Sequence, residues 1–393
     1  MHLLKFHIIG HQSFPNTSWI DVGEGVNILA TSTIQQAQVL LEALQAINPP
    51  YDCRQVEPFA DFPAYSQIHP YKRKIIPSKK TAAIAIYTAD PALVQTLATI
   101  DPLYFETDRI EVGRRRDYSR WMNFVELPAS ARWKEIYEVL RPLLSHIAPE
   151  AGPWRDRFQE MIRLWQETDR LRGERAHQLS IHLRRLRPFL PPQYHGQLNW
   201  CCQRVDLAAH FLQAKTVVAT SLPIFYALPP TNRAHTVSVP LTFLANRLGE
   251  RFQEKLKLER TVGRLNRQWQ AGQAGIRLEV DAESGRPVIR SNKFHEFHDG
   301  DGPIAEGVLA SFMQGVALLH QVVYGCDPIF LLDLHRLHLP IQEPSYRLEQ
   351  LHRICDQFQC LIVPDQALLD VCHDPRRSAW ANFPWLHIAA APF

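Results

Sequence analysis

A short stretch in the last quarter of the chain, KFHEFHDGDG (residues 293–302), carries the densest group of side-chain types that bind metals. Its imidazole and carboxylate groups belong to His295, Glu296, His298, Asp299 and Asp301. A hydrolytic metal ion needs three or four such ligands that converge, but in an extended strand His295 points away from Glu296 and His298. The stretch supports the hypothesis of a metal-dependent nuclease or hydrolase, with Asp333 as a further ligand. The alternative interpretation is a polar loop between a hairpin and a helix.

Basic side chains are clustered in the first third, in YKRK (71–74), SKK (78–80) and GRRRDYSRW (113–121). The net charge is only +3, from 43 Lys and Arg against 40 Asp and Glu, so this positive charge is local. Such clusters neutralise phosphates, and aromatic side chains among them stack on bases. The residues predicted to contact nucleic acid are Lys72, Arg73, Lys74, Arg114, Arg115, Arg116 and Arg120. The alternative is a solvated arginine surface over a buried Trp121 and Phe124.

The stretch NILATSTIQQAQVLLEAL (27–44) has the pattern of a strand end, a loop and an amphipathic helix. The helix is predicted over residues 34–47, because Leu40, Leu44 and Ile47 share one face with other apolar side chains. Many nucleotide-binding proteins hold a phosphate at such a junction. This loop contains neither glycine nor lysine. It is therefore either a phosphate-binding loop without its chemistry or an ordinary turn.

Apolar patterns predict an α/β chain whose middle third is helical. Strands are predicted at 3–9, 25–30, 82–87, 103–112, 328–333, 360–363 and 385–390, and a hairpin at 276–291 with its turn at 283–285. Helices are predicted at 154–187, 197–214, 241–269, 304–323 and 348–358. The first and third of these are long and polar, which is typical of an arm, a lid or a short antiparallel coiled coil. Alternating strands and helices in the last third indicate a parallel sheet with crossover helices.

The composition excludes several classes of protein. No apolar run reaches the roughly 18 residues of a membrane span. The first ten residues lack the apolar block and cleavage site of a signal peptide, so we expect a cytoplasmic protein that does not bind a membrane. The seven cysteines are scattered and form no CxxC pair, which favours reduced thiols over disulfides or a zinc site.

The order of these elements resembles the nucleotide-binding head of the ABC-type ATPases in the SMC, RecF and OLD group. In that group the phosphate loop lies near the N-terminus, a helical insertion follows, and the signature and the magnesium-binding strand return near the C-terminus. The resemblance implies an α/β, P-loop NTPase-like fold of the ABC/SMC head type, with a mixed sheet and a helical insertion. It also implies an N-terminal lobe at 1–150, a helical insertion or arm at 151–272 and a C-terminal lobe at 273–393.

The same resemblance assigns positions in the phosphate loop. It places Thr31, Ile34 and Gln36 where the family has glycines, Ala37 where it has the lysine, and Gln38 where it has the magnesium-binding serine or threonine. Side chains at the glycine positions obstruct the backbone N–H groups that wrap a phosphate. Loss of the lysine removes a charge-assisted contact of a type that contributes roughly 1.5–3 kcal/mol. Tight triphosphate binding in the usual manner is not expected.

The last third carries the remaining positions of the resemblance. Asp299 falls near the signature serine, with Gly300 and Gly302 kept, and an acid there repels a γ-phosphate. Asp333 is the expected magnesium-supporting acid, and Leu334 stands where the family has its catalytic glutamate. Where the family has a sensor histidine, residues 364–366 read Pro-Asp-Gln. His335 and His338 are interpreted as remnants of the family's turn after the strand.

We therefore predict a pseudo-ATPase: an inactive head with no catalytic residue, no cofactor and no bound metal. Such a protein serves as a structural or recognition subunit that binds DNA, RNA or a protein partner, such as an active ATPase or nuclease subunit. Heads of this family pair face to face, so we expect a homodimer or heterodimer whose pairing does not need nucleotide on this chain. A role in antiviral defence, DNA repair or mobile elements is implied only by the known roles of the family's members. The alternatives are the metal-dependent nuclease or hydrolase and a weakly ATP-binding, RecF/OLD-like DNA-binding ATPase.

Overall fold

The computed structural model describes most of the chain in two compact units. The described residues are 1–10, 17–59, 80–102, 107–228, 240–271, 276–291, 306–337, 344–355, 357–373 and 386–390. The first unit comprises Met1–Thr88, Glu111–Trp121 and Ser221–Phe393. The second comprises Ala89–Ile110 and Met122–Thr220.

The elements are numbered here in chain order. The strands are β1 (His2–Ile8), β2 (Ile20–Asp21), β3 (Val26–Ala30), β4 (Thr81–Thr88), β5 (Arg109–Arg115), β6 (Arg120–Phe124), β7 (Ala131–Arg132), β8 (Arg170–Leu171), β9 (Phe225–Leu228), β10 (Ile276–Val280), β11 (Pro287–Ser291), β12 (Ile329–Asp333), β13 (Gln359–Val363) and β14 (Leu386–Ala390). The α-helices are α1 (Ile34–Gln45), α2 (Cys53–Val56), α3 (Pro91–Ile100), α4 (Trp133–Leu144), α5 (Gly152–Ile162), α6 (Gly173–Leu186), α7 (His195–Ser221), α8 (Pro240–Arg251), α9 (Lys255–Ala271), α10 (Glu306–Tyr324), α11 (Leu334–Leu337), α12 (Pro344–Cys355) and α13 (Gln366–His373).

A parallel sheet at the centre of the first unit has the strand order β14-β3-β13-β12-β9. Every residue of β12 and β13 is buried. Continuous apolar strands of this kind are typical of a parallel sheet that is covered on both faces. Strand β3 comes from the N-terminal part of the chain and pairs with β13 and β14 from the C-terminal part. The predicted assembly of one α/β sheet from two distant chain segments is confirmed.

An antiparallel sheet in the order β2-β1-β4-β5-β6 accompanies the parallel one, and residues 111–121 of β5 and β6 belong to the first unit. The Gln359 side chain connects the two sheets of this unit. Its Nε2 donates to the carbonyls of Leu3 at 2.7 Å and Gly23 at 2.9 Å, and its Oε1 accepts from the Leu3 N–H at 2.8 Å. A buried amide whose groups are paired in this way fixes the start of β13 against β1.

Helices α8, α9 and α10 and the hairpin β10–β11 add to the core of the first unit. The hairpin has the predicted turn, with Gly285 at a φ of +65° that favours glycine. The predicted single helix at 241–269 is wrong, because α8 ends at Arg251 and α9 begins at Lys255. The break allows Leu248 of α8 and Leu258 of α9 to be buried in one core.

The second unit is mainly helical. Its core contains Trp133, Leu140 and Phe158 together with apolar side chains of α6 and α7. The predicted single helix at 154–187 is also wrong, because the chain leaves α5 after Ile162 and forms β8 before α6. Leu171 of β8 is fully buried and pairs with β7, and both contacts stabilise this interruption of the helix.

The region predicted as an insertion, 151–272, contributes to both units: residues up to 220 lie in the second and later ones in the first. The predicted strand at 103–112 begins later than expected, at Arg109, and residues 103–106 lie outside the described part. Among the helices in the described part, none has the length and apolar character needed to cross a membrane.

Candidate nucleotide site

The strand-loop-helix junction predicted at residues 27–44 is present, with three residues between β3 and α1. Thr33 caps α1: its side-chain oxygen accepts from the Gln36 N–H at 3.3 Å, and its carbonyl accepts from the Ala37 N–H at 3.3 Å. The Thr31 hydroxyl donates to the same carbonyl at 2.6 Å. The threonines therefore close the junction as a capped helix start.

Two of the three positions that the resemblance assigns to glycine lie inside helix α1. Ile34 is its first residue and is buried, and Gln36 lies in its first turn. A phosphate-binding loop directs several backbone N–H groups at the ligand. Here the N–H groups of Gln36 and Ala37 are bonded to Thr33 instead. The lysine position, Ala37, is fully buried in the core and presents only a methyl group.

The two positions that the resemblance assigns to magnesium coordination are in direct contact. Gln38 Nε2 donates to Asp333 Oδ2 at 2.7 Å. Asp333 is the last residue of β12, and parallel strands direct their carboxyl ends to one edge of the sheet. The residues are 295 positions apart in the chain, and only the sheet brings them together.

Both oxygens of Asp333 accept hydrogen bonds from the protein. Oδ2 accepts from Gln38, and Oδ1 accepts from the backbone N–H of Arg336 at 3.2 Å. Burial raises the pKa of Asp333, while these two bonds and the nearby charges of Arg336 and His335 oppose the rise. A magnesium ion here would have to displace an amide donor and would find no hydroxyl ligand at position 38. These residues do not fit a magnesium–nucleotide complex.

The remaining catalytic positions have structural roles. Leu334 is 2% exposed and lies in the apolar core, so its side chain can neither contact nor polarise a water molecule. After β13, where the family presents a histidine, Asp365 Oδ1 accepts from the Leu368 N–H at 3.0 Å and caps α13. The described positions of the predicted site thus support helix starts and core packing.

Several predicted site residues lie outside the described part of the chain. They are Lys72, Arg73, Lys74, His295, Glu296, His298, Asp299, Gly300, Asp301, Gly302 and His338. Among the residues that are described, no group of three or more His, Cys, Asp and Glu side chains could hold a metal ion. The metal-dependent hydrolase and the signature positions therefore stay predictions.

Arg114, predicted to contact nucleic acid, is bonded within the fold. Its Nε and Nη2 donate to the carbonyls of Ala46 and Ile47 at 2.8 and 2.9 Å, and its Nη1 donates to that of Tyr118 at 2.5 Å. These carbonyls include the unpaired end of helix α1, where a cation is favourable. Arg114 therefore has a structural role, because its donors are used by carbonyls of the protein at the end of helix α1.

The other predicted arginines also have partners. Arg115 donates to the Ser119 hydroxyl at 3.2 Å, and Arg116 to the Gly10 carbonyl at 3.2 Å. Arg120 donates to Asn48 Oδ1 at 2.7 Å. Burial lowers the pKa of Arg120, and the charge of Arg114 lowers it further. Asn48 was not predicted as a site residue, since its role depends on a partner 72 positions away.

Of the three comparisons with known proteins, the one with solved structures found matches and the other two did not. No family model matches the chain, and no curated protein matches it. An SMC head bound to the C-winged helix domain of ScpA is 11% identical, with 94% of this chain and 91% of that chain covered and a TM-score of 0.32. The SMC head domain from Thermotoga maritima is 10% identical, with 94% and 92% covered and a TM-score of 0.32. The recombination mediator RecF with ATP is 12% identical, with 92% of each chain covered and a TM-score of 0.28.

Likeness at these TM-scores carries no argument about activity, and the fold follows from the strands themselves. Strand β3 leads into a capped helix at one edge of a parallel sheet, and Asp333 ends another strand at that same edge. The N-terminal and C-terminal segments of the chain build this sheet together. The chain has an α/β fold built on a parallel sheet to which both segments contribute, and its assignment to the P-loop NTPase-like heads stays a prediction.

Proposed function

We propose that this chain is a pseudo-ATPase, a head of ABC/SMC type that acts through its shape and surfaces and does not turn over nucleotide. The observation that carries the proposal is the hydrogen bond between Gln38 and Asp333. It occupies the position at which an active head would hold magnesium. The buried Ala37 and Leu334 at the lysine and glutamate positions support the same conclusion.

The site lacks the charges that turnover needs. Phosphoryl transfer depends on cations that neutralise the phosphates and on a side chain that orients the attacking water. Here the lysine position is a methyl group, and the glutamate position is a buried leucine. Magnesium–nucleotide binding would also break the bond between Gln38 and the mostly buried Asp333. Each of these features opposes binding or hydrolysis independently of the others.

As a subunit without turnover, the chain would serve as a structural or recognition component that binds nucleic acid or a protein partner. We expect such a subunit to belong to a defence, repair or mobile-element complex, in which its partner is an active ATPase or nuclease subunit. The basic segment around Arg115 supports nucleic-acid binding, because its positive charge lies on a turn of the first unit. Pairing with a second head would be independent of nucleotide on this chain.

Calorimetric titration with a nonhydrolysable ATP analogue and Mg²⁺ tests the nucleotide part of the proposal. We expect no binding tighter than about 100 µM, which corresponds to roughly −5.5 kcal/mol. Submicromolar binding that is weakened by Asp333→Asn would refute the proposal, since that variant alters only this site. Binding of intermediate strength would favour the alternative of a weakly ATP-binding, RecF/OLD-like DNA-binding ATPase.

Retention on immobilised single-stranded DNA, duplex DNA and RNA tests the surface part. We expect Arg115→Glu to weaken retention at least fivefold at about 0.1 M salt, because it reverses a charge near the phosphates. Arg277→Glu is the matched control, because the Arg277 side chain is 69% exposed on β10 of the same unit. Equal retention of wild type and Arg115→Glu would remove this surface from the proposal.

A further inference from the structure

A pocket of about 420 Å³ opens on the first unit at the carboxyl end of helix α1. Its lining includes Tyr51, Arg54, Arg114, Tyr118, Ser119 and Arg120. The degenerate nucleotide site lies at the opposite end of α1, and a helix of 12 residues is about 18 Å long. The pocket is therefore separate from the candidate nucleotide site, but it adjoins the basic segment around Arg115, so what it binds rests on the nucleic-acid part of the proposed function.

The Arg114 side chain in the pocket lining is fixed, because it donates hydrogen bonds to three carbonyls. One of them belongs to Tyr118, which has a left-handed φ of +62° that residues other than glycine seldom adopt. The bond from Arg114 holds this strained turn in place. Strained residues that are fixed by their surroundings are common at ligand-binding sites.

Arg120 is also held in one orientation. Its Nη1 donates to Asn48 Oδ1 at 2.7 Å. The Asn48 amide cannot rotate, because its Nδ2 donates to the carbonyls of Leu222 at 3.1 Å and Pro223 at 2.9 Å. Asn48 therefore presents its oxygen to Arg120 permanently. Pre-organised donors of this kind lose little conformational entropy when a ligand binds.

The two guanidinium groups lack an acidic partner. Within the described residues, no carboxylate lies within salt-bridge distance of Arg114 or Arg120. The acids in the pocket wall have local roles: Asp52 accepts from the Arg54 N–H at 2.9 Å, and Asp117 accepts from the N–H and hydroxyl of Ser119 at 3.0 and 2.6 Å. Partly buried charges of like sign repel each other, and an anion between them would relieve that repulsion.

We propose that this pocket binds the phosphate group of a nucleotide, with Arg120 and Arg54 as its main ligands and Arg114 as a fixed positive charge. The planar guanidinium fork matches phosphate oxygens and binds them through paired hydrogen bonds. The volume lies in the range of small-molecule sites and exceeds that of phosphate alone. The rings of Tyr51 and Tyr118 offer apolar surface for the attached nucleoside. Such a phosphate is carried by a free nucleotide or by the 5′ end of a nucleic acid.

Equilibrium titration of the full chain with four probes tests this proposal. The probes are inorganic phosphate, AMP, and one single-stranded oligonucleotide with either a 5′-phosphate or a 5′-hydroxyl group. We expect the affinity of Arg120→Gln for at least one phosphate-bearing probe to be lower than that of wild type by a factor of ten or more. Arg120→Lys should recover part of this affinity. Preference for the phosphorylated over the hydroxyl oligonucleotide identifies a nucleic-acid end. Binding of AMP without that preference identifies a free nucleotide.

Arg54→Gln gives a second measurement that does not depend on a buried residue, because Arg54 is exposed and its loss leaves the core unchanged. We expect it to weaken the same probe at least threefold. Arg277→Gln is the control for general loss of positive charge and should bind as wild type does. The proposal is overturned if no phosphate-bearing probe binds, or if folded Arg120→Gln and Arg54→Gln bind as tightly as Arg277→Gln. None of these results depends on whether ATP binds at the other end of α1.

Discussion

The side-chain amide of Gln38 donates to the carboxylate of Asp333 across 2.7 Å. In the family that this chain resembles, the corresponding positions share a magnesium ion. The amide supplies a neutral donor where the ion would supply two positive charges. It thereby stabilises Asp333, which is only 6% exposed, without any nucleotide. The bond joins helix α1 to the carboxyl end of β12, and the proposed lack of nucleotide turnover depends on it.

The first prediction concerns the strength of that bond. Gln38→Ala should lower the free energy of unfolding by about 1–3 kcal/mol, because a mostly buried carboxylate loses its side-chain donor. Gln35→Ala is the matched control, since Gln35 lies on the same helix turn and is exposed. Urea denaturation at pH 7 provides the measurement. Equal stability of the two variants would show that the bond contributes nothing.

The second prediction concerns the pH dependence at Asp333. Burial raises its pKa in the folded protein above the unfolded value, so the folded state binds a proton more tightly. The ionised carboxylate therefore opposes folding at neutral pH, and this cost disappears as the pH falls through the folded pKa to the unfolded value near 3.8. The Asp333→Asn variant has no ionised carboxylate at this position, so its folding does not include this free-energy cost.

Stability of Asp333→Asn relative to wild type should accordingly be highest at pH 7 and should decline steadily towards about pH 4. Chemical denaturation of both proteins across this range measures the difference. The size of the stability difference at any one pH also includes hydrogen bonds that the asparagine amide loses. The change of this difference with pH is therefore the decisive quantity. A difference that stays constant between pH 7 and pH 4 would contradict the assignment.

The third prediction concerns His320, which is fully buried in the first unit. Its Nδ1 lies 2.7 Å from the Cys326 carbonyl, and its ring lies beside those of Tyr226 and Tyr324. Burial lowers its pKa from 6.5 to about 4. The folded state therefore favours the neutral form, and the unfolded chain takes up the proton first as the pH falls.

Stability should thus decrease between pH 6.5 and about 4, by up to roughly 3 kcal/mol from this residue, since one pKa unit corresponds to about 1.36 kcal/mol. His320→Gln keeps a donor for the Cys326 carbonyl but does not titrate, so its stability should fall less over the same range. The comparison needs urea midpoints at several pH values. Parallel pH profiles for the two proteins would rule out His320 as the source.

The fourth prediction separates structure from binding at Arg114. Arg114→Ala should destabilise the protein by about 2–4 kcal/mol, because three carbonyls lose their donor. Arg115→Ala should cost less than about 1 kcal/mol, since Arg115 donates to a hydroxyl on the same turn. Thermal and urea unfolding check both variants. If Arg114→Ala unfolds like wild type, its contacts with helix α1 are not structural.

Much of the fold was predictable because its signals are local. Strands β12 and β13 are short runs of apolar residues, and the hairpin turn has glycine where a positive φ is needed. Helix α1 begins where its apolar face begins, after a threonine cap. That Ala37 and Leu334 stand where the family has its lysine and glutamate stays a prediction from the order of residues. Periodicity and residue type are sufficient for such features, since they depend on neighbours within a few positions.

The predictions of single long helices at 154–187 and 241–269 were wrong because the breaks in them depend on contacts with distant residues. The apolar spacing of both segments continues through 163–172 and 252–254, and the local signal is weak: Gly173, with a φ of +50°, follows the first break. The first break depends on Leu171, which pairs with β7, and the second on a core shared by α8, α9 and α10. Burial in a distant core outweighs the local preference for helix.

By itself, the sequence determined the α/β class, the place of the strand-loop-helix junction at 27–44 and the absence of lysine and glycine from its loop. The tertiary structure alone decided that Gln38 contacts Asp333, that Arg114 contacts Ala46 and that Arg120 contacts Asn48. These pairs are separated by 68 to 295 positions in the chain. Their contacts depend on strand order and register, which are set by the packing of the whole core and not by neighbouring residues.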